Sequence, residues 1–236
     1  MKNEDIRPAF VEGVLIAVGL SVLGYFISSA IVEIKGYERI VKVKGLAEMA
    51  VKSNRAIMPI RFEVSGNELN DVNAKIKSNT DMIIKFLNDN GFEEDEISIS
   101  TPEMVDKAAQ SYDGSVSAIR YTATTSVTLN SDKIDNVIKL QKTIPSLAQL
   151  GIILKNYNGE TQYVFTELNS VKPKMIEDAT KNARLSAEKF AKDSDSKLGK
   201  IKEASQGYFS IEESDTGKAY MKSVRVVTDV TYYLNE

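Results

Sequence analysis

The stretch that decides the architecture is Val14–Val32, which reads VLIAVGLSVLGYFISSAIV and contains no charged residue. Nineteen residues in an α-helix rise about 28 Å, which is close to the hydrocarbon thickness of a bilayer. No other part of the chain is uncharged over a comparable length. The sequence therefore predicts a transmembrane anchor over residues 10–32, after a short tail of residues 1–9 and before a linker of residues 33–37.

Two other interpretations compete with a membrane anchor. A cleaved signal peptide has an apolar segment of about 7–15 residues before small residues at the cleavage site. Ser28-Ser29-Ala30 supplies such residues, but the apolar run is longer and extends past them. A buried core helix is usually shorter and has a polar face. An uncleaved anchor is therefore favoured. Basic residues on both sides of the run leave its orientation open, with a slight lean toward a C-terminal side that faces inward.

Five small residues share one stripe of the predicted membrane helix. They are Gly13, Ala17, Ser21, Gly24 and Ser28, at spacings of four, four, three and four. Such a stripe lets two membrane helices approach closely and associate. Small residues are also common in membrane helices that do not pair. That simpler interpretation is favoured for this stripe.

The composition excludes several classes of function. The chain has 30 basic and 33 acidic residues, so we expect no nucleic-acid partner. Cysteine and histidine are absent, which removes disulfides, thiolate nucleophiles, Cys/His zinc sites and histidine bases. The acidic clusters Glu93-Glu94-Asp95-Glu96 and Glu212-Glu213 are interpreted as solvated, because acid–base catalysis needs a carboxyl group with a perturbed pKa in a cleft. We therefore expect no catalytic residues, no cofactor and no metal site.

Hydrophobic periodicity predicts an α+β domain with antiparallel strands and three main helices packed on the sheet faces. The predicted strands lie near residues 38–47, 56–64, 96–101, 117–129, 152–157, 160–167, 200–205 and 222–234. The predicted helices span about 66–88, start near 131 and run from about 170 to 194. This domain is predicted to occupy residues 38–236.

Local signals refine this pattern. Pro59 cannot donate to a ladder, which places its strand at an edge or at a bulge. Ser65 and Glu68 have capping-box spacing before the first soluble helix. Residues 102–116 are predicted to form a long connection with a turn at Tyr112-Asp113-Gly114. Asn158-Gly159 between two strand-like runs predicts a β-hairpin.

Two apolar features near the C-terminus are interpreted as packing. The longest soluble helix has a packing stripe of Ile176, Ala179, Ala183, Ala187 and Phe190, with Ala191 beside it. Tyr208-Phe209 follows Gly207 and is interpreted as core at a strand end rather than as an exposed interaction patch.

The region from Phe165 to Ile211 carries a recognisable set of motifs. They are Leu168-Asn169, Lys172-Pro173, Ala179, Ala183-Arg184, Ala187-Glu188, Phe190-Ala191-Lys192-Asp193-Ser194, Leu198-Gly199-Lys200-Ile201 and Gln206-Gly207. Together with Val41-Lys42-Val43-Lys44-Gly45 at the start and Arg225-Val226-Val227 at the end, they resemble the SIMPL-domain (DUF541) family of exported bacterial envelope proteins. The chain departs from many relatives at Ala56-Ile57-Met58-Pro59, where no aspartate follows the proline.

This resemblance implies an extracytoplasmic domain held to the inner membrane by one N-terminal helix. It also implies a structural or stress-related role in the envelope and ring-like oligomers in some members, and it brings no active-site residues. We therefore expect a self-associating, non-enzymatic interaction module. Two alternatives stay open, namely an envelope hydrolase that uses carboxylates alone and a module that binds a small envelope ligand.

Overall fold

The computed structural model describes residues 6–36, 39–110, 118–155, 161–214 and 217–235. The helices are α1 (Ile6–Gly36), α2 (Leu69–Asp89), α3 (Lys107–Gln110), α4 (Ile134–Thr143) and α5 (Leu168–Asp193). The strands are β1 (Ile40–Lys52), β2 (Arg55–Gly66), β3 (Ile97–Ile99), β4 (Glu103–Asp106), β5 (Tyr121–Ser131), β6 (Ile153–Lys155), β7 (Gln162–Val164), β8 (Lys197–Gln206), β9 (Ser210–Glu213) and β10 (Met221–Asn235). Two 3₁₀ turns cover Glu94–Glu96 and Ile144–Leu150. The predicted α+β class is confirmed.

The chain divides into two compact units. The first contains the chain up to Glu48, Lys172–Phe209 and Arg225–Glu236, and the second contains Met49–Val171 and Ser210–Val224. The domain boundaries predicted above, with one domain over 38–236, stay a prediction. Of the predicted tail (residues 1–9) and linker (residues 33–37), residues 1–5 and 37 fall outside the described residues and the others belong to α1.

In the first unit, α5 packs on a sheet in which β10 lies between β1 and β8. Alternating residues of β1 and β10 face the helix, and the small core consists of Val43, Ala183, Ala187, Val230 and Tyr232. Every fourth residue of α5 from Met175 is buried, because α5 presents one narrow stripe to the sheet. Phe190 is 60% exposed, so its predicted place in that stripe is wrong. Pro173 lies inside α5 rather than at its start.

Strand β8 is an edge strand. Among the described strands it pairs with β10 alone, in antiparallel register from Lys197↔Asn235 to Gln206↔Thr228. That register shifts at two places, and most of its residues are exposed on both faces.

In the second unit, β2 and β5 form a long antiparallel pair from Ala56↔Ser131 to Gly66↔Tyr121. Strands β3 and β4 follow one another along the free edge of β5, and β6 and β7 follow one another along the free edge of β2. The inward face of this sheet forms one core with α2 and α4. Its fully buried members include Ile60, Phe62, Val72, Ile83, Leu87, Val127, Leu129, Val137 and Leu140.

The predicted β-hairpin is wrong. Strands β6 and β7 are both antiparallel to β2, so they run in the same direction and do not pair with each other. Asn158-Gly159 itself lies outside the described residues. The strong Asn-Gly signal misled because it reports backbone conformation at a turn and carries no information about which strand is the partner.

Three other local predictions need revision. The register of β2 with β5 is continuous through Pro59, so there is no bulge; on the other side of β2, no strand among the described residues pairs with residues 58–60. The missing N–H of Pro59 is therefore accommodated at a local edge. The predicted capping box at Ser65 is wrong, because β2 continues to Gly66 and Glu68 precedes α2 without a side-chain cap. The predicted loop at 102–116 contains β4 and α3, while its Tyr112-Asp113-Gly114 turn lies outside the described residues.

Candidate functional site

Helix α1 contains the membrane-spanning candidate. Phe10–Ile31 is long and apolar enough to cross a bilayer, and a signal sequence near an N-terminus has the same properties. The helix continues without a break through Ser28-Ser29-Ala30 to Gly36. All five residues of the predicted stripe lie on α1, where the Ser21 hydroxyl donates to the Ala17 carbonyl at 2.8 Å. Helix pairing through the stripe stays a prediction.

The recognisable motif of the first unit marks a close contact between β1 and α5, which we name the Gly45 seam (Gly45, Ala179 and Ala183). A Cβ at Gly45 would lie 1.9 Å from the Ala179 carbonyl oxygen and 2.7 Å from the Ala183 amide nitrogen. Asn182 fixes the same contact by donating to the Leu46 carbonyl at 2.8 Å. Glycine and alanine are required here because two backbones touch. These motif residues therefore serve packing.

Two more motif glycines also lie where a neighbouring backbone carbonyl leaves no room for a side chain. A Cβ at Gly199 would lie 2.9 Å from the Tyr233 carbonyl oxygen, and one at Gly207 would lie 2.7 Å from that of Val227. The Gly207 amide donates to the same Val227 oxygen at 2.8 Å. Next to it, Tyr208 is 100% exposed, so its interpretation as a core residue is wrong.

The acidic cluster at 93–96 is a structural ionic network in the second unit. Glu96 accepts hydrogen bonds from the Ser131 hydroxyl at 2.6 Å and from Lys133 Nζ at 2.8 Å. It also accepts from the Glu93 amide at 2.8 Å, which closes a capping box around the 3₁₀ turn. Burial alone would raise the pKa of Glu96, but these hydrogen bonds outweigh it and the pKa lies below its usual value. A carboxylate held in its charged form joins the turn to β5 and is a poor proton donor.

A second pair, Asp106 and Arg120, joins the end of β4 to the residue before β5. Arg120 Nη2 lies 3.1 Å from an Asp106 carboxylate oxygen, and its guanidinium lies over the Tyr121 ring. The hydrogen bond from Arg120 holds the pKa of Asp106 below its usual value. Both side chains are already satisfied within the fold. Among the residues that the structure describes, no group of three or more carboxylates is arranged to hold a metal ion.

An open cavity of about 430 Å³ lies in the second unit. We name it the Tyr163–Lys222 cavity; it is lined by Tyr163, Val164, Phe165, Ile211, Glu212, Glu213 and Lys222. Small-molecule sites in proteins are usually concave, mostly apolar and furnished with a few polar groups. This cavity has four apolar or aromatic residues and one inward charged side chain.

The inward charge belongs to Lys222. On β10, Lys222 shares the inward face with the buried Val224, and its side chain is only 12% exposed. Its Nζ donates to the Glu213 carboxylate at 3.4 Å, and Glu213 itself is 77% exposed. A lysine ammonium has three donors. The Lys222 side chain is thus mostly buried, and its hydrogen bond to Glu213 is longer than a typical charge-assisted bond.

The walls of the cavity are held by backbone and side-chain hydrogen bonds. The Ser53 amide donates to the Tyr220 carbonyl at 2.8 Å, and the Asn54 amide donates to the Val164 carbonyl at 3.1 Å. The hydroxyl of Tyr163 donates to Gln141 at 3.2 Å, and burial raises the pKa of this phenol. One short connection between β1 and β2 therefore fixes both walls, and the Tyr163 wall is uncharged at neutral pH.

Sequence reasoning missed this cavity. It treated Lys222 as the start of a strand and Glu212-Glu213 as a solvated acidic pair. The only available signal was the alternation of the last strand, which assigns Lys222 to the same face as Val224.

A comparison with known protein families finds a match over the region that contains the packing motif. Residues 41–231 match the SIMPL family, which is described as a protein of unknown function (DUF541). The chain belongs to the SIMPL (DUF541) family. The match begins in β1 and ends in β10, so it includes the Gly45 seam and the Tyr163–Lys222 cavity. Nothing among curated proteins matches the chain.

Proposed function

We propose that this SIMPL protein is anchored in the cytoplasmic membrane by α1, with its two folded units on the extracytoplasmic side. The observation that supports an uncleaved anchor is the continuity of α1. The helix extends through Ser28-Ser29-Ala30 and five residues beyond the apolar span that ends at Ile31. Signal peptides have a shorter apolar segment that ends before the small residues of the cleavage site.

Protease treatment of spheroplasts tests this topology. We expect external protease to digest the folded units while a cytoplasmic control protein stays intact. The untreated membrane fraction should contain the full chain by mass spectrometry. A soluble product that begins at Ile31 would overturn the anchor, and protection from external protease would overturn the extracytoplasmic placement.

The module acts in the envelope through contacts with other proteins, including copies of itself, and without catalysis. The motif residues with a described role serve packing, as at the Gly45 seam. Among the described residues, the carboxylates with a resolved pKa change are Glu96, Asp106 and Glu177, and each has a lowered pKa with a cationic partner hydrogen-bonded to it. A carboxylate-only glycan hydrolase needs one carboxyl with a raised pKa, facing a second across a cleft. Release of reducing ends from cell-wall glycan by the purified protein would overturn the non-enzymatic role.

Self-association is tested by sizing the full-length protein in detergent. Gly24→Leu should reduce the oligomer if the small-residue stripe of α1 contributes. Gly19→Leu is the matched control, because Gly19 lies off the stripe and neither glycine has an atom within 4 Å of an added Cβ. A strictly monomeric wild-type protein would remove the assembly role. A link to envelope stress predicts that deletion of the protein sensitises cells to envelope-damaging agents.

A second candidate function is binding of a small molecule, and the Tyr163–Lys222 cavity supports it. Its volume of about 430 Å³ is within the usual range of about 300–1,000 Å³ for ligand pockets. Saturation-transfer NMR with small amphipathic probes tests whether the cavity takes a ligand at all.

A further inference from the structure

We propose that the Tyr163–Lys222 cavity binds a small molecule with an apolar body and an anionic group, and that the anionic group accepts hydrogen bonds from Lys222 Nζ. This inference rests on the ligand-binding part of the proposed function and adds the chemical class of the ligand.

The anionic class follows from the position of the charges in the cavity. Lys222 is the inward charge, with 12% of its side chain exposed, whereas Glu213 is 77% exposed. A mostly buried cation is costly unless it is paired and hydrogen-bonded. Its hydrogen bond to Glu213, at 3.4 Å, is longer than a typical charge-assisted bond of about 2.7–2.9 Å. An anionic ligand would accept a shorter hydrogen bond from Lys222 Nζ than Glu213 does. Glu213 would then be solvated, at little cost in free energy.

The apolar part of the ligand follows from the walls. The apolar and aromatic residues of the lining are Tyr163, Val164, Phe165 and Ile211. Tyr163 is held by its hydrogen bond to Gln141 and by an edge-to-face contact with Tyr220 at 6.2 Å between ring centroids. Ile211 is 39% exposed, so a ligand body that covered it would remove apolar surface from water.

Binding assays with three matched probes test the proposal on the full-length protein in lipid nanodiscs. The probes are 4-phenylbutyrate, 4-phenylbutanamide and 4-phenylbutylamine, which share one apolar body and differ in charge. We expect the carboxylate to bind at least tenfold more tightly than the amide or the amine. Titration calorimetry measures the affinities, and empty nanodiscs correct for partition into lipid.

Two substitutions locate the site. Lys222→Met should weaken 4-phenylbutyrate binding at least tenfold and leave the amide unchanged or tighter. Lys202→Met is the matched control, because Lys202 is also a strand lysine near a tyrosine ring, 5.7 Å from the centroid of Tyr233, and lies outside the cavity. Glu213→Gln should tighten carboxylate binding severalfold, since it removes the competing carboxylate.

Each contrary outcome has a distinct meaning. Preference for the amine would keep ligand binding and overturn the anionic class. Equal losses in Lys222→Met and Lys202→Met would overturn the location. Failure of all three probes, with circular dichroism confirming that each variant is folded, would overturn both the inference and ligand binding at this cavity, and would leave the membrane-anchored interaction role standing.

Discussion

The Gly45 seam and the Tyr163–Lys222 cavity differ in how closely their atoms are packed. At the seam, backbone meets backbone and even one methyl group has no space. At the cavity, about 430 Å³ is left open and a charged side chain points inward. The seam carries the recognisable sequence motif, whereas the cavity is built from residues with no motif. The comparison teaches that the family signature of this chain reports how it folds and is silent about what it binds.

Substitution at the seam is expected to have the largest effect. Gly45→Val places carbon atoms against the Ala179 and Ala183 backbone, which cannot move without displacing α5. We expect a loss of at least about 3 kcal/mol in the free energy of unfolding, at the upper end of overpacking effects, or no folded protein. Urea denaturation followed by circular dichroism measures it.

Gly66→Ala is the control for the seam substitution. A Cβ at Gly66 meets one side-chain atom, Val72 Cγ2, at 3.0 Å, and no backbone atom within the 2.7 Å found at Gly45. We expect a clearly smaller loss than at Gly45. Equal losses in the two variants would mean that the seam is no tighter than an ordinary contact.

The next largest loss of stability is expected at the ionic network of Glu96, which contrasts with the cavity around Lys222. Glu96→Gln removes the charge-assisted hydrogen bond from Lys133 and should cost about 1–2 kcal/mol at neutral pH. The pKa of Glu96 is lowered in the folded state, so its contribution to stability is present above its unfolded value of 4.5 and is lost as the pH falls through the folded pKa. The pH dependence of urea unfolding between about pH 6 and pH 3 measures this loss.

The Glu96→Gln variant should have a flatter stability profile over the same pH range. Glu94→Gln changes an exposed neighbour and is the matched control. A wild-type slope that persists in Glu96→Gln would assign the acid sensitivity to other groups.

At the cavity, substitution is expected to change stability in the opposite direction. Lys222→Met replaces a poorly paired inward cation with an apolar side chain of similar length. Such replacements are often neutral or stabilising, so we expect between about 0 and 1 kcal/mol of added stability. Thermal unfolding in the absence of probes measures it. Destabilisation by more than the seam control Gly66→Ala would mean that Lys222 is a structural residue, and the contrast between the two regions would fail.

The smallest effect is expected at Phe190. Its side chain is 60% exposed on α5, so Phe190→Ala should change stability by less than about 0.5 kcal/mol. A buried phenylalanine such as Phe62 should cost about 3–5 kcal/mol when replaced by alanine. Equilibrium unfolding of both variants separates the two cases, and a large loss at Phe190 would restore the wider packing stripe inferred from the sequence.

Much of the fold was predictable because it follows from local periodicity. The apolar run of α1, the alternation along β10 and the alanine stripe of α5 were all readable, and each matches an observed element. The errors arose where a partner strand decides the outcome. Asn158-Gly159 indicated a hairpin, but β6 and β7 both pair with β2, a choice set by contacts distant in sequence.

The candidate site was the least predictable part. Its walls come from β7, β9 and β10, and more than 40 residues of sequence separate β7 from β9. No short spacing rule links Tyr163 to Lys222, because their proximity depends on the hydrogen bonds that Ser53 and Asn54 make to both walls. Pattern reading assigned Lys222 to a face of its strand but could not show that this face lines a cavity.

The edge strand β8 has a consequence for how copies of this protein can meet. Its ten residues include Lys197, Lys200 and Lys202, and its register with β10 shifts twice. Lysines and irregular register are features that hinder the addition of another strand. Head-to-tail sheet extension, which produces open filaments when the rotation does not close, is therefore disfavoured at this edge. Filaments that grow by adding a strand of a second copy to β8 are therefore not expected.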